Sequence, residues 1–378
     1  MQNSDEIKVE FCFAFLGHPE LDSRTTNFYK SLTKRNHSVS LIGFDWLGKG
    51  KFNELQNYIL FSVQRRPSIH FYTDFIRLLQ RQLWKTKAKV YVAEDIYTLP
   101  LMVSAAKRNN ALVYYDSREL YNYIGGLKNK PLVQRIISAI EKKYIYKVDK
   151  IIVTGEMDLN ELAGYYNFPR EKFIIIRNLP YPVKVSPINI REKFNIEETK
   201  KILIYQGIVS KGRGIEKTIS AVKDLGNVVF LIFGDGPLIN ELREIIKQNS
   251  LEEKVILAGS VRNIDLLNYT ASADIGVALI ENISKSYYYA LPNKLFEYIY
   301  AGIPVIASPL PQMKKIIDKY EIGLTVNPEI SNEIKDAINS LINNEKKYQQ
   351  IKVNTIEASK ILNWENEFEN VYEKLLYE

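Results

Sequence analysis

Apolar and polar positions along this chain follow two rhythms. Short runs dense in branched and aromatic residues recur at Val9–Leu16, Ser38–Phe44, Tyr58–Val63, Lys89–Asp95, Ala111–Ser117, Lys150–Gly155 and Lys172–Asn178, and most of the intervals between them leave room for a helix. Runs that are apolar on both faces and alternate with helices predict a parallel sheet covered on two sides. The segment Leu179–Pro187, with three prolines in nine residues, interrupts the rhythm and reads as a linker. The same alternation restarts beyond it at Lys200–Gly207, Asn227–Gly236, Lys254–Ser260, Asp274–Ile280, Ile303–Ser308 and Ile322–Asn327. The expectation is α/β: two doubly wound domains, residues 1–185 and 186–360, with the carboxyl ends of both sheets facing one interdomain cleft. A C-terminal helix over 361–378 is expected to cross back to the first domain.

A chain of 378 residues, 46% apolar and 25% charged, has enough material for two cores. No apolar run approaches the roughly 20 residues of a membrane span. The N-terminal MQNSDEIKVE lacks the basic, apolar and small-residue pattern of a secretory signal, which predicts a cytoplasmic chain. One cysteine, Cys12, within an apolar run, and three scattered histidines give no ligand set for a transition metal. The net charge of +7 is uneven: residues 1–185 carry +10 and the remainder −3. Such asymmetry points to an anionic partner for the first half. Two basic amphipathic segments there, Arg65–Lys89 and Lys128–Lys150, make an anionic membrane surface the candidate. On a helical wheel, Phe71, Tyr72, Phe75, Leu78, Leu79 and Leu83 share one arc, and Arg77, Arg81 and Lys85 lie on another beside Trp84. No nucleic-acid motif accompanies the basic residues.

The stretch Ala290–Ser308, ALPNKLFEYIYAGIPVIAS, carries the most chemistry. Pro292 fits a first helical position and Gly302 the position just past a helix end, which predicts a helix of about ten residues. Leu295, Phe296, Ile299 and Tyr300 form its packing face, while Asn293 and Glu297 share another face beside Lys294. Its first turn would offer unpaired N–H groups and a positive dipole end to a diphosphate, and Glu297 a carboxylate to two ribose hydroxyls.

This stretch closely resembles the donor-binding signature of the family 4 glycosyltransferases, a retaining, nucleotide-sugar-dependent family of the GT-B fold with two Rossmann-like domains. Further matches follow in family order: YQGIVSKGRGIEKTI (Tyr205–Ile219), FGDGP (Phe233–Pro237) and ILAGSVRNIDLLNYTASADIGV (Ile256–Val277). In the first half, Leu16–Gly43 looks like the family's opening strand, loop and helix, and YYDSREL (Tyr114–Leu120) resembles its Asp-x-His-Glu segment. The resemblance implies donor contacts at Gly17, Gly207, Lys211, Arg213, Asn293, Lys294, Leu295 and Glu297. It implies an acceptor side at Asp116, Arg118 and Glu119, with Arg118 and Glu297 as the catalytic pair.

Three positions depart from the family pattern. Tyr289 stands where a second glutamate is usual, Ile208 where an arginine follows the first glycine, and Arg118 where histidine is usual. Arginine stays protonated and cannot act as a general base, so Arg118 would serve by gripping anionic groups. Arg213 can replace the customary lysine, because guanidinium binds phosphate oxygens in pairs. Without an Asp-x-Asp pair, the resemblance implies a metal-independent enzyme with no cofactor, the nucleotide sugar being a substrate. The implied reaction moves a sugar, with retention, from an NDP-sugar, by analogy a UDP-sugar, to a cell-envelope glycan or polyprenyl-linked acceptor such as lipopolysaccharide or capsule. The implied place is the cytoplasm, at the inner face of the membrane. The alternatives are a nucleotide-sugar 2-epimerase on the same fold and a non-catalytic binding protein.

Overall fold

The computed structural model of the chain describes residues 6–52, 55–56, 58–64, 69–123 and 130–376. The chain divides into two compact units, residues 1–177 with 367–378, and residues 178–366.

Among the described residues the first unit holds seven parallel strands: β1 (Ile7–Ala14), β2 (Val39–Asp45), β3 (Ile59–Ser62), β4 (Thr86–Ala93), β5 (Leu112–Ser117), β6 (Lys150–Val153) and β7 (Phe173–Ile175). Their order is β3-β2-β1-β4-β5-β6-β7. The order reverses between β1 and β4, and Phe13 of β1 pairs with Leu41 of β2 on one side and Val92 of β4 on the other. Phe11, Cys12, Phe13 and Ala14 are buried between helix layers, which accounts for their unbroken apolar run. After β1 the helix Ser23–Lys34 starts on Asp22, whose carboxylate accepts from Thr25 N at 2.8 Å. That helix buries Arg24, Thr25, Phe28 and Leu32.

The second unit holds β8 (Lys201–Gln206), β9 (Val228–Phe233), β10 (Val255–Gly259), β11 (Ile275–Ala278), β12 (Val305–Ala307) and β13 (Gly323–Thr325), all parallel in the order β10-β9-β8-β11-β12-β13. The order reverses between β8 and β11. Ligands of such sheets bind outside the carboxyl ends of the strands at that reversal.

Several expectations are corrected. The proline-rich segment is not a free linker: Val183 N donates to Tyr300 Oη (3.0 Å), Ser186 N to Asn268 Oδ1 (2.8 Å) and Ile188 N to Ser272 Oγ (2.9 Å). These bonds tie it to the second unit, and the division falls at 177/178 in place of 185/186. The expected helix over 361–378 is two short ones, Trp364–Glu369 and Tyr372–Leu375. The chain rejoins the first unit at Glu367, whose carboxylate takes Nε and Nη2 of Arg177.

The basic segments are also shorter as helices, Ile69–Lys85 and Pro131–Ile145, because residues 86–89 belong to β4 and Lys150 opens β6. Residues 65–68 and 124–129, with Arg65, Arg66 and Lys128, lie outside the described residues. On the first helix Phe75, Leu79 and Leu83 are buried, whereas Tyr72 is exposed.

Candidate functional site

At the reversal point of the second unit, β8 ends in Gln206 and turns at Gly207, whose φ of +122° excludes most side chains. A Cβ at Gly234, in the loop after β9, would meet Gly207 O at 1.8 Å, so the two loops interlock only through glycine. The helix Asn293–Tyr300 then presents its first turn. Pro292 is its N-cap, not its first residue, with extended ψ of 144°, and the helix is eight residues long because Gly302 (φ +73°) stops it. Leu295, Phe296 and Ile299 pack inward as expected. Tyr298 joins them, its hydroxyl 3.2 Å from the carbonyls of Ile204 and Val277, and Tyr300 is only half-buried.

Two basic side chains, Lys294 and Arg213, lie close enough to act on each other, and neither forms an ion pair among the described residues. Lys294 is buried, and its ammonium sits 3.5 Å from the centroid of the Tyr205 ring. Among the described residues it makes no hydrogen bond or ion pair. Burial, then the charge of Arg213, holds its pKa well below the usual lysine range, against a smaller opposing pull from Glu297. Arg213 lies with its guanidinium carbon 4.7 Å over the Tyr287 ring, and its Nε is buried without a hydrogen-bond partner. An N–H left unpaired in a buried position costs about 1–3 kcal/mol, which an incoming anion can recover.

Glu297 is half-buried and accepts a hydrogen bond from Gln206 Nε2. Burial raises its pKa, an effect opposed by that bond and by Lys294. Its Oε1 takes no hydrogen bond among the described residues. Asn293 is exposed at the helix start. Lys211 does not join the pair of cations: it is 73% exposed and faces Glu241 at 3.5 Å. Ile208, where the family has arginine, is exposed, and its carbonyl accepts from Tyr205 Oη at 2.6 Å.

The first unit gathers its own predicted residues at the carboxyl ends of β1, β4 and β5, in a different state from the one expected. Asp116 is fully buried and takes both Nε (2.7 Å) and Nη2 (2.8 Å) of Arg24, whose Nη1 donates to Ile176 O at 2.7 Å. Arg118 places Nη1 2.9 Å from Asp22, Nη2 2.5 Å from Glu94 and Nε 3.3 Å from Asp116, with its guanidinium over the Phe15 ring. Its three nitrogens all face carboxylates, so it presents no free grip for an anion. Asp116 is likewise enclosed. Glu119 is exposed. Glu94, fully buried among Arg118, Thr25, Asp22 and Asp116, has its carboxyl pushed up to about 8, chiefly by burial. What lies close to Gly17 is the Phe15 ring, 2.5 Å from a Cβ placed there, so glycine is needed for packing.

Tyr205, Gln206 and Thr270 lie inside the family-like stretches Tyr205–Ile219 and Ile256–Val277, but the resemblance assigns none of them a contact. Gln206 closes the strand KILIYQ after a run of buried apolar residues, and that contrast is its clue; Thr270 is the buried residue of a helix that also carries Asn263, Asp265 and Asn268 and offers no such contrast.

Comparison with known proteins follows the same division. The model of Glycosyl transferases group 1 matches residues 187–358, and that of Glycosyltransferase Family 4 matches residues 23–179. An uncharacterized glycosyltransferase of Methanocaldococcus jannaschii is 24% identical over 55% of this chain and 54% of its own. The alpha-monoglucosyldiacylglycerol synthase of Streptococcus pneumoniae is 22% identical over 50% and 44%. The chain thus spans about half the length of these curated relatives. A chitobiosyldiphosphodolichol beta-mannosyltransferase of Candida albicans is 20% identical over 77% of this chain and 70% of its own. Among solved structures, Anabaena HepE in complex with UDP and glucose superposes with a TM-score of 0.75 at 14% identity, covering 97% of this chain and 99% of that one. Sucrose-phosphate synthase from Thermosynechococcus elongatus superposes at 0.79 and 16%, covering 98% and 99%. At these identities the likeness concerns the fold, which is two-domain α/β of the GT-B type.

Proposed function

Starting from a chain that belongs to the family 4 glycosyltransferases of the GT-B fold, we propose that it transfers a sugar from a uridine diphosphate donor, with retention of configuration, to a lipid-linked or glycan acceptor. The observation that carries this reading is the pair Arg213 and Lys294, two cations in a partly dry turn with no protein anion between them. A diphosphate supplies the missing negative charge, and guanidinium takes phosphate oxygens in pairs. Glu297, one helical turn on, is in register for the ribose. The UDP found with the Anabaena fold neighbour supports uridine as the base.

In this reading the protein does little covalent work. Arg213, Lys294 and the first turn of the helix Asn293–Tyr300 stabilise the charge that builds on the diphosphate as the glycosidic bond lengthens. The leaving phosphate oxygen takes the acceptor hydroxyl's proton on the same face, which gives retention without a protein nucleophile. The enclosed guanidinium of Arg118 fixes the loop ends after β1, β4 and β5.

The acceptor reading rests on surfaces of the first unit. The helix Pro131–Ile145 exposes Leu132 (70%), Val133 and Ile136 (53%) beside Lys130, Arg135, Lys142 and Lys143. The helix Ile69–Lys85 exposes Trp84 (63%) and Ile76 beside Arg77, Arg81 and Lys85. Apolar tips flanked by cations suit an anionic leaflet, each cation adding roughly 1 kcal/mol near the surface. No helix among the described residues is long and apolar enough to cross a membrane. On the strength of these two surfaces, the proposed place of action is the inner membrane face.

Incubation with a panel of nucleotide sugars, with nucleotide release and sugar identity followed together, tests the reading. UDP release that depends on a lipid-linked acceptor is expected. Epimerisation of the sugar, or no turnover of any donor, would overturn it.

A further inference from the structure

The carboxylate of Glu297 is not free to rotate. Behind it lies a relay of buried polar groups: Gln206 Nε2 donates to Glu297 Oε2, and Thr270 Oγ1 donates to Gln206 Oε1 at 2.7 Å. Gln206 is 1% exposed and Thr270 is fully buried. Gln206 is the last residue of β8, and Thr270 is the last of the helix Asn263–Thr270, 64 residues further along the chain.

The direction of the relay follows from donor counting. An ionised carboxylate only accepts, so the amide must show it Nε2. The amide oxygen then faces Thr270, whose hydroxyl has a single proton to give. Thr270 Oγ1 also lies 2.8 Å from Leu266 O, the usual resting place of a threonine hydroxyl on a helix. Diverting its proton to Gln206 fixes which end of the amide meets Glu297. The relay holds Oε2, and Oε1 is left without a protein partner among the described residues.

We propose that Gln206, oriented by Thr270, is the positioning residue that aims Glu297 at the donor ribose and so makes the site select ribonucleotides over nucleotides lacking the ribose hydroxyls. This rests on the assignment of Glu297 to the ribose made above. Neither residue touches the diphosphate cations, so the relay acts on the sugar hydroxyls and leaves phosphate affinity alone.

The test is calorimetric binding of UDP, 2′,3′-dideoxy-UDP and inorganic pyrophosphate to the full chain. Wild type is expected to favour UDP over the dideoxy compound by about tenfold or more. Gln206→Leu and the near-isosteric Thr270→Val should bring that ratio close to one, with pyrophosphate affinity held within about twofold, and Thr270→Ser should restore it. A Gln206→Leu protein that keeps the wild-type ratio, while Glu297→Gln loses it, would overturn the relay and leave the ribose assignment standing. A Glu297→Gln protein that keeps the ratio would overturn both. Parallel loss of pyrophosphate binding in Gln206→Leu and Thr270→Val would mean that the pair only supports the fold, and would also overturn the proposal.

Discussion

The Lys294 ammonium stacks 3.5 Å from the centre of the Tyr205 ring, with no carboxylate in hydrogen-bond reach. Because burial and Arg213 depress its pKa in the free protein, a bound diphosphate must raise it again. UDP binding should therefore take up protons. The uptake is read as a dependence of the calorimetric enthalpy on buffer ionisation heat, followed as pH is raised from about 8, above the titration of a terminal phosphate, toward the usual lysine range. Lys294→Met should abolish it. Equal enthalpies in all buffers for wild type would contradict the placement of Lys294 at the phosphates.

Glu297→Ala should cost about 1.5–3 kcal/mol of UDP affinity, roughly 10- to 150-fold, through loss of charge-assisted bonds to the ribose. Pyrophosphate binding should change little. If UDP binds Glu297→Ala as tightly as wild type, the carboxylate does not meet the donor.

Much of this fold is legible from local pattern, and the misreadings share one cause. Each strand among the described residues falls in or against a run of branched residues, because strand period and two-sided burial are properties of a few neighbouring positions. Tyr298 was left off the packing face because its place depends on Gly276, 22 positions away: a Cβ there would lie 2.3 Å from the Tyr298 ring. Arg118 reads as an available cation in its own segment because two of its carboxylate neighbours, Asp22 and Glu94, come from distant parts of the chain, and only Asp116, two residues before it in β5, is local. The Gln206–Thr270 relay is hidden for the same reason. Local spacing shows elements, whereas partners brought together by the sheet order are not written in any window of sequence.

The buried Glu94 makes stability depend on pH. Its carboxyl holds a proton up to about 8 when folded and releases it near 4.5 when unfolded. Between those values the unfolded chain binds fewer protons, so stability falls as pH rises through the window. Glu94→Gln removes that loss. Thermal melts from about pH 5 to 9 should show wild type losing Tm relative to the variant as pH rises. Parallel curves would contradict a buried, protonated Glu94.

Membrane docking is checked by co-sedimentation with anionic and neutral vesicles. Wild type should bind anionic vesicles at low salt and release at high salt, since exposed charges are screened beyond a Debye length of about 10 Å at 0.1 M. Leu132→Asp with Ile136→Asp should weaken binding on the apolar side, and Arg77→Glu with Arg81→Glu on the cationic side. No binding to anionic vesicles at low salt would rule the surface out.

The central claim is that Arg213 and Lys294 together hold the donor's diphosphate. Calorimetric titration of the Arg213→Ala, Lys294→Met double variant with UDP and with uridine tests it most directly. Loss of two charge-assisted contacts at about 1.5–3 kcal/mol each should lower UDP affinity by roughly 100-fold or more, while uridine affinity stays within about threefold. A double variant that binds UDP with wild-type affinity, or loses UDP and uridine equally, would contradict it.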